Sequence, residues 1–366
     1  MSAFLPPDVP DRQRAIVQDA DGEPILVQNA TVPALTSGKV LVRTMAVALN
    51  PTDFKMGPAF PVPGTTVGID YAGQVVGIEV HAAQVRPDLR VGDIVCGGVH
   101  GNNPADLASG CFAEFVRAPA DLVLKVPEGL PLAQAAALGT GLTTGCLALH
   151  SLGFEFRVAG TGSSVSFGAG VPVLVYGAST ASGTMAIQLL KLIGCDPIGV
   201  CSPRNFELAK SYGASAVFDY KTASAAEDIK EHTRGELRHA LACITDEASI
   251  ACCEAAIGPS GGHLVLLEDV EDEWKTRDDV TVDFILALEA FGHEVELPGE
   301  YWRAANPAKH DMTVRCFAAI QTLLDEGRIR AHPTEIVGND FESILKGMGQ
   351  LESGSISGKK LAVVFK

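Results

Sequence analysis

The feature that most constrains the fold is a regular alternation of apolar strands and helices that starts at Val171. The strand-like runs VPVLVYG, DPIGVCS and SAVFDY are separated by the helix-like runs ASTASGTMAIQLLKLIG and RNFELAKSYG. LRHALACIT, EASIACCEAAIG and GGHLVLLE continue the alternation. Strands whose apolar residues run together between helices are typical of a parallel sheet covered on both faces. The sequence therefore predicts an α/β fold with a doubly wound sheet over residues 156–305.

The segments on either side of this domain are rich in β-type patterns. Up to about Val126, runs such as KVLVRTMAVAL and GQVVGIEV are punctuated by Gly and Pro. The tail has helical MTVRCFAAIQTLLDEGRI and DFESILKGMGQLESG, with strands PTEIV and KKLAVVF. A chain of 366 residues is long enough for two domains. We expect residues 1–155 and 306–366 to form a β-rich domain, with ligand bound in a cleft beside the α/β domain.

Two segments join these parts. Leu130–Gly153 is rich in Ala and Leu and has helical spacing, but its stretch Gly139–Gly145 is a poor interior for one uninterrupted helix. Phe154–Gly170 is rich in Gly and Ser and is expected to be an exposed linker.

Composition excludes several classes of protein. A net charge of −16 repels nucleic acid and anionic lipid alike. The nine cysteines are scattered, so we expect reduced thiols and no disulfide framework. The N-terminus lacks the basic start and apolar centre of a signal peptide, and no run of about 20 apolar residues is present. A cytoplasmic, water-soluble protein is expected.

A small-residue turn opens the first strand-turn-helix unit of the α/β domain, at Tyr176–Gly183. Such a turn lets the backbone approach a pyrophosphate at the helix N-terminus. The full G-x-G-x-x-G pattern is missing, because only Gly177 and Gly183 remain. Dinucleotide binding is the interpretation that the surrounding Rossmann pattern favours, and a purely structural turn is the alternative.

The end of the second strand, VCSPRN, indicates which dinucleotide binds. It has no Asp or Glu to accept hydrogen bonds from a ribose 2′-hydroxyl. Ser202 and Arg204, with Lys210 and Tyr220, could instead hold a 2′-phosphate, which suits the guanidinium fork of arginine. NADPH is therefore the expected cofactor. The alternative is that Arg204 faces water at the start of a helix.

The segment ALNPTDFKM, Ala48–Met56, places Asp53 and Lys55 close to an Asn-Pro turn. From the residues alone, Lys55 is either a solvated turn lysine or a functional cation.

The order of VGIDYAGQVVGIE, VRPDLRVGDIV, AAALGTGLTTG and GASTASGTMAIQLLK resembles the medium-chain dehydrogenase/reductase superfamily over nearly the whole chain. The resemblance implies a GroES-like catalytic domain beside the Rossmann domain. Zinc-dependent members have His and Glu where Ile69 and Asp70 stand, and Cys96 and Cys111 are isolated. We therefore expect no metal, as in the zinc-free quinone and enoyl reductases.

NPTDFKM, the STAS turn, CSPRNFELAKSYGA, VFDY, GPSGGH and SGKKLAVVF look like the fungal trans-acting enoyl reductases of polyketide synthases, of the lovastatin-pathway type. This resemblance implies reduction, by NADPH, of the α,β-double bond of an enoyl thioester. The substrate would sit on the acyl carrier protein of a partner polyketide synthase or synthase–peptide synthetase hybrid. It also implies a monomer that serves secondary metabolism.

The same resemblance implies the site residues. Lys55 and Thr144 are the catalytic candidates, with Lys55 beside the nicotinamide ribose and Thr144 at the nicotinamide edge. The candidate cofactor contacts are Thr52, Asp53, Phe54, Lys55, Ser179, Thr180, Ala181, Ser182, Ser202, Pro203, Arg204, Asn205, Tyr220, Leu267, Glu268, Ile356 and Ser357. The candidate acyl-chain pocket comprises Gly145, Cys146, Leu147, Ala148, Leu149, His150, Ser151 and Leu152.

The sequence departs from the lovastatin-type pattern at two places and leaves two other functions open. The family pattern has Pro-Ala at Gly139-Thr140 and Leu-Asn at Leu267-Glu268. One alternative is a stand-alone zinc-free NADPH quinone or enone reductase that acts on free small molecules. The other is a non-catalytic cofactor-binding protein that docks to a synthase, which the eroded glycine motif leaves open.

Overall fold

The computed structural model describes residues 8–156 and 170–366. The chain divides into two compact units, which we call unit 1 (Met1–Thr140 with Leu288–Lys366) and unit 2 (Gly141–Ala287). The domain boundaries at 155/156 and 305/306 stay predictions.

Unit 1 is built mainly from strands. Its N-terminal part contains β1 (Arg12–Gln18), β2 (Pro24–Thr31), β3 (Lys39–Ala48), α1 (Pro51–Ala59), β4 (Asp70–Ile78), α2 (Val80–Val85), β5 (Ile94–Gly98), β6 (Phe115–Pro119), β7 (Leu124–Lys125) and α3 (Leu132–Ala136). Helix α4 (Gly139–Ser151) starts here and continues into unit 2.

Unit 2 alternates strands and helices. It contains β8 (Pro172–Tyr176), α5 (Ala181–Leu192), β9 (Asp196–Cys201), α6 (Phe206–Ser211), β10 (Ala216–Asp219), α7 (Ala225–His232), β11 (His239–Ala242), α8 (Glu247–Ala256), β12 (Gly262–Leu266) and β13 (Val280–Phe284). The chain then returns to unit 1 with α9 (Pro307–Asp325), β14 (Thr334–Gly338), α10 (Phe341–Glu352) and β15 (Lys360–Val364).

The sheet of unit 1 combines both ends of the chain. Its seven strands follow the order β14-β15-β3-β4-β5-β7, with β6 on β3, and β1 and β2 form a separate antiparallel pair. Strand β15 pairs antiparallel with β3, so the C-terminal strands β15 and β14 extend the sheet that the N-terminal strands begin. Helix α10 buries Phe341, Ile344 and Met348 against this sheet, at helical spacing. The predicted β-rich domain with a returning tail is confirmed.

The sheet of unit 2 is parallel and has the order β10-β9-β8-β11-β12-β13. Numbered within the unit, this is 3-2-1-4-5-6, the order of a dinucleotide-binding Rossmann fold. Its core strands bury Leu174, Ile198, Ala240 and Leu264 completely. The predicted doubly wound sheet is confirmed. The sequence pattern did not indicate α7, which is largely polar, or β13, a five-residue strand with Thr281 and Asp283 at its exposed positions.

The Ala- and Leu-rich segment Leu130–Gly153 is not one uninterrupted helix, as predicted, but its break does not lie within Gly139–Gly145. The break in the Ala- and Leu-rich segment falls at Ala137 and Leu138, and the glycine-rich stretch lies inside α4. Within unit 2, a Cβ at Gly141 would lie 2.8 Å from Met185 Cγ, and one at Gly145 would lie 2.7 Å from Leu189 Cδ1. The glycines therefore allow α4 to pack closely on α5, and this packing outweighs their low helix propensity.

Two further expectations concern segments beside this helix. Leu132–Ser151, which comprises α3 and α4, is one described stretch long and apolar enough to cross a membrane, but most of it is buried inside the protein, as core helices are. The predicted linker Phe154–Gly170 lies mostly outside the described residues.

Candidate active site

The ALNPTDFKM segment forms the start of helix α1, where the sequence indicated only a turn. Asn50 is the N-cap residue with extended dihedral angles, and Pro51 occupies the first helical position. Asp53 Oδ2 accepts a 2.6 Å hydrogen bond from the Asn50 N–H, which closes the first turn. Lys55 follows on the exposed side of the helix. Proline needs no N–H partner at this position, so Asn-Pro starts the helix and does not prevent it.

A buried polar cluster, which we call the Asp70 cluster, lies beneath this helix start. The Lys360 ammonium forms an ion pair with Asp70 and donates a 2.7 Å hydrogen bond to Asn50 Oδ1. Asn50 Nδ2 donates to Asp70 Oδ2 at 3.0 Å. The other carboxylate oxygen, Asp70 Oδ1, accepts from the Thr140 N–H at 2.6 Å and from the Thr140 hydroxyl at 2.7 Å. Both oxygens of Asp70 are therefore satisfied without contact with water.

This donor set does not fit a zinc ion. Ile69 offers no ligand atom, and Asp70 already faces the positive charge of Lys360. Burial raises the pKa of the Cys96 and Cys111 thiols, so neither is favoured as a thiolate ligand. Within residues 8–156 and 170–366, no group of three His, Cys, Asp or Glu side chains is placed to hold a metal.

Asp53 is completely buried beside the Asp70 cluster. Its Oδ1 atom has no hydrogen-bond partner among the described residues, whereas Oδ2 accepts from Asn50. Burial raises the pKa of Asp53 to about 8; the negative charge of Asp70 adds to this shift, and the Asn50 hydrogen bond and Lys360 oppose it. The Asp53 carboxyl group is therefore largely protonated at neutral pH.

We expect Asp53 to make the protein less stable as the pH rises. Unfolded Asp53 loses its proton near pH 4, whereas folded Asp53 keeps it until about pH 8, so folding takes up a proton between these values. The free energy of unfolding, relative to that of the Asp53→Asn variant, should fall by about 1.4 kcal/mol per pH unit between pH 5 and pH 7. Urea unfolding of both proteins at several pH values measures the difference. A difference independent of pH would show that folded Asp53 is already ionised.

The turn after β8 in unit 2 has the geometry of a pyrophosphate cradle. Gly177 has a φ of +79°, which favours glycine. Thr180 is the N-cap of α5: its hydroxyl accepts from the Gly183 N–H at 3.0 Å and donates to the Gly177 carbonyl at 2.8 Å. The turn lies beside β8 and β11, where the strand order reverses, so the N-terminus of α5 faces the position where dinucleotides bind. The chain thus fits a dinucleotide cofactor.

Replacing Gly183 with alanine should destabilise this turn. The added Cβ would lie 2.3 Å from the Gly177 carbonyl oxygen, a backbone atom that cannot rotate away. We expect a loss of about 1–3 kcal/mol in the free energy of unfolding, measured by denaturant titration. Gly349→Ala in α10 is the matched control, because no atom lies within 4 Å of its added Cβ. That control should gain about 0.5–1 kcal/mol. Equal effects of the two substitutions would contradict the proposed close approach.

The other predicted cofactor residues of unit 2 follow the carboxyl ends of neighbouring strands. Asn205 Nδ2 lies 3.1 Å from the Ser179 hydroxyl and 3.3 Å from the Ser202 hydroxyl, so it connects the turn after β8 with the end of β9. Arg204 is exposed, and Tyr220 is 45% exposed directly after β10. Leu267 and Glu268 follow β12 and are half-buried. The parallel sheet thus brings these residues to one edge.

The remaining candidates lie in both units. In unit 1, Ile356 and Ser357 are half-buried just before β15. In unit 2, Thr144 is buried on α4, and His150 is exposed at the end of that helix. The other acyl-pocket candidates are buried or, for Ser151, half-buried. Their roles in binding stay predictions.

Sequence reasoning named no member of the Asp70 cluster as a site residue. Thr140 had been noted only as a departure from the family pattern, and Lys360 only as part of the final strand. Lys360 is buried while its neighbour Lys359 is exposed, a difference that no local pattern in SGKKLAVVF indicates. Their roles depend on contacts with residues that are distant in sequence.

Comparison with known families and structures agrees with this architecture. Residues 36–128 match the alcohol dehydrogenase GroES-like domain, and residues 181–267 match the family described as zinc-binding dehydrogenase. The crystal structure of CurK enoyl reductase superimposes with a TM-score of 0.74 and 18% sequence identity, covering 98% of this chain and 100% of its own. The fold is therefore a GroES-like domain with a Rossmann domain, as predicted.

Relatives of higher sequence identity were found among fungal proteins. The chain is 44% identical to the trans-enoyl reductase poxP of Penicillium oxalicum over 366 residues, covering 99% of this chain and 96% of the relative. It is also 44% identical to the trans-enoyl reductase TwmE of Talaromyces wortmannii, covering 99% of this chain and 100% of the relative. Identity at this level over full length shows common family membership. The chain belongs to the trans-enoyl reductase family within the medium-chain dehydrogenases/reductases.

Proposed function

We propose that this protein is an NADPH-dependent enoyl reductase that acts in trans on a polyketide synthase. The observation that carries the proposal is the 44% identity, over the full chain, to fungal proteins named trans-enoyl reductases. The substrate would be an α,β-unsaturated thioester on the acyl carrier protein of the synthase or of a synthase–peptide synthetase hybrid. We further propose that the protein is a cytoplasmic monomer.

The cofactor proposal assigns separate tasks to the candidate residues. The turn Ser179–Ser182 would hold the pyrophosphate at the N-terminus of α5. Ser202 and Arg204, with Lys210 and Tyr220, would hold the ribose 2′-phosphate. In unit 1, Thr52–Lys55 and Ile356–Ser357 would contact the nicotinamide part. When bound, NADPH supplies the hydride that reduces the β-carbon of the substrate.

Lys55 is the residue proposed to act on the substrate. Hydride addition at the β-carbon moves negative charge through the α-carbon onto the thioester oxygen, which then needs positive charge or hydrogen-bond donors. The exposed ammonium of Lys55 would supply both, with the Thr144 hydroxyl as a second donor. Lys55, or water oriented by it, would then deliver the proton to the α-carbon. Both catalytic steps therefore depend on where α1 presents Lys55.

The acyl chain would extend along α4. Residues Gly145–Leu152 are mostly small or apolar, which suits contact with a hydrocarbon chain.

Replacing Arg204 with alanine should reduce the preference for NADPH over NADH. Loss of a charged hydrogen bond costs about 1.5–3 kcal/mol, so we expect the Kd for NADPH to rise about 10- to 100-fold. The Kd for NADH should change little, because NADH lacks the 2′-phosphate. Calorimetric titration measures both constants. Arg238→Ala is a matched control. Arg238 is also exposed, but it precedes β11 and so lies at the amino ends of the parallel strands, whereas Arg204 follows the carboxyl end of β9.

The reaction class is tested by offering two substrates with NADPH. We expect the purified protein to oxidise NADPH with a crotonyl thioester, and faster with longer 2-enoyl thioesters, but not with a quinone. Oxidation with the quinone alone would instead favour a stand-alone quinone reductase. Tight binding of NADPH without turnover of any enoyl thioester, including one carried on an acyl carrier protein, would favour a non-catalytic docking protein.

A further inference from the structure

The Asp70 cluster buries an ion pair in a place where an apolar pair would also fill the space. The Lys360 side chain is 4% exposed, and that of Asp70 is fully buried. Removing a lysine and a carboxylate from water is unfavourable, and well-packed apolar residues of similar size are often equally stabilising. A buried ion pair of this kind is better explained by the geometry that it imposes than by its net stability.

The geometry joins segments that are far apart in the sequence. Lys360 and Asn50 are 310 residues apart, and Lys360 and Asp70 are 290 residues apart. Asn50 is the N-cap of α1, so the bonds of its side chain to Lys360 and Asp70 anchor the residue at which the helix begins. Lys55 lies five residues further along the same helix. The Lys360 ammonium is thus hydrogen-bonded to the N-cap residue, little more than one helical turn from Lys55.

The cluster also lies next to a second group of cofactor candidates. Ile356 and Ser357 precede Lys360 by only a few residues, so the same ammonium anchors the chain that follows them. The hydrogen bonds of the cluster are specific: Asn50 Oδ1 accepts from Lys360, Asn50 Nδ2 donates to Asp70 Oδ2, and Asp70 Oδ1 accepts from the Thr140 hydroxyl. A buried network of such specific hydrogen bonds allows few alternative arrangements.

We propose that Lys360 and Asp70 are positioning residues, which hold the start of α1 and the segment before β15 in the arrangement that binds the nicotinamide cofactor and presents Lys55. The inference rests on the proposed function, because the proposed function is what assigns cofactor binding to these two segments. Neither residue touches substrate. Their effect passes through Asn50 to Lys55, and along the chain to Ser357.

The test uses a double variant, Asp70→Asn with Lys360→Met, which removes both charges and keeps the size of both side chains. It avoids the unpaired buried charge that either single substitution leaves. The matched control is Glu335→Gln with Lys359→Met, which removes the neighbouring ion pair between β14 and β15, where both side chains are more than 40% exposed. Calorimetry measures the Kd for NADPH at 20 °C, and thermal unfolding gives the Tm of each protein.

We expect the Kd for NADPH to rise at least tenfold in the double variant and to change less than twofold in the control. The variant should remain fully folded at 20 °C. A double-mutant cycle adds a second readout: if the cluster acts through Lys55, then Lys55→Met should reduce kcat much less in the double variant than in the wild-type protein. Two results together would overturn the inference. The folded double variant would bind NADPH with an unchanged Kd, and Lys55→Met would reduce kcat by the same factor in the double variant as in the wild-type protein. Failure of the wild-type protein to bind NADPH would instead overturn the proposed function.

Discussion

Replacing Lys55 with methionine is expected to lower kcat about 10²- to 10³-fold at saturating NADPH. Removal of one donor to a developing oxyanion has an effect of this size in other enzymes. Methionine keeps most of the length of the side chain and removes only its charge and hydrogen bonds. The measurement is the rate of NADPH oxidation with a saturating enoyl thioester. Because Lys55 is exposed on α1, the substitution should leave the fold intact.

The control for this prediction is Lys346→Met, which removes the charge of another exposed helical lysine of unit 1. Its kcat should equal that of the wild-type protein. The ratio of kinetic constants separates two roles of Lys55. A lower kcat at saturating NADPH means that Lys55 stabilises the transition state. An increase in KM for NADPH with unchanged kcat would mean that Lys55 only anchors the cofactor, and would contradict the proposed mechanism.

Replacing Lys360 alone with methionine should destabilise the protein by about 3–5 kcal/mol. This substitution leaves the buried carboxylate of Asp70 without its positive partner, which is among the most unfavourable changes known in protein interiors. Denaturant unfolding, monitored by a probe in unit 1, measures the loss. Lys359→Met, one residue away, removes an exposed cation and should cost about 0–1 kcal/mol.

The double variant Asp70→Asn with Lys360→Met should recover much of this loss, because neither buried charge remains. Thr140 can still donate to the amide oxygen at position 70, and the Asn50 side-chain amide can rotate so that its oxygen, no longer occupied by Lys360, accepts from the amide N–H at that position. If the double variant were as unstable as the single variant, the loss would come from packing and not from charge pairing.

The sequence predicts most of unit 2 well, because most of its strands are short apolar runs that alternate with helices along the chain, a pattern typical of one parallel sheet. VPVLVYG and DPIGVCS become β8 and β9, adjacent strands of one parallel sheet. Elements without this signal were missed: β13 alternates buried and exposed residues and is an edge strand. The helical state of Gly139–Gly145 was also unpredictable, since it depends on Met185 and Leu189 of a later helix.

The candidate site could be predicted only in part. The turn at Gly177–Gly183 follows from small residues between a strand and a helix, a local signal. The importance of Thr52–Lys55 came from family resemblance, because a lysine near Asn-Pro carries no local signal of function. The Asp70 cluster escaped prediction because its members come from positions 50, 70, 140 and 360. Only the folded sheet of unit 1 brings these positions together.

The central claim, that the protein transfers a hydride from NADPH to the β-carbon of an enoyl thioester, is tested most directly with labelled cofactor. NADPH deuterated at the transferred position of the nicotinamide ring is incubated with the protein and a 2-enoyl thioester, and the product is analysed by mass spectrometry and NMR. We expect a saturated thioester with one deuterium at the β-carbon and a hydrogen from water at the α-carbon. A saturated product without deuterium, or full recovery of the unsaturated thioester when it is carried on its acyl carrier protein, would contradict the claim.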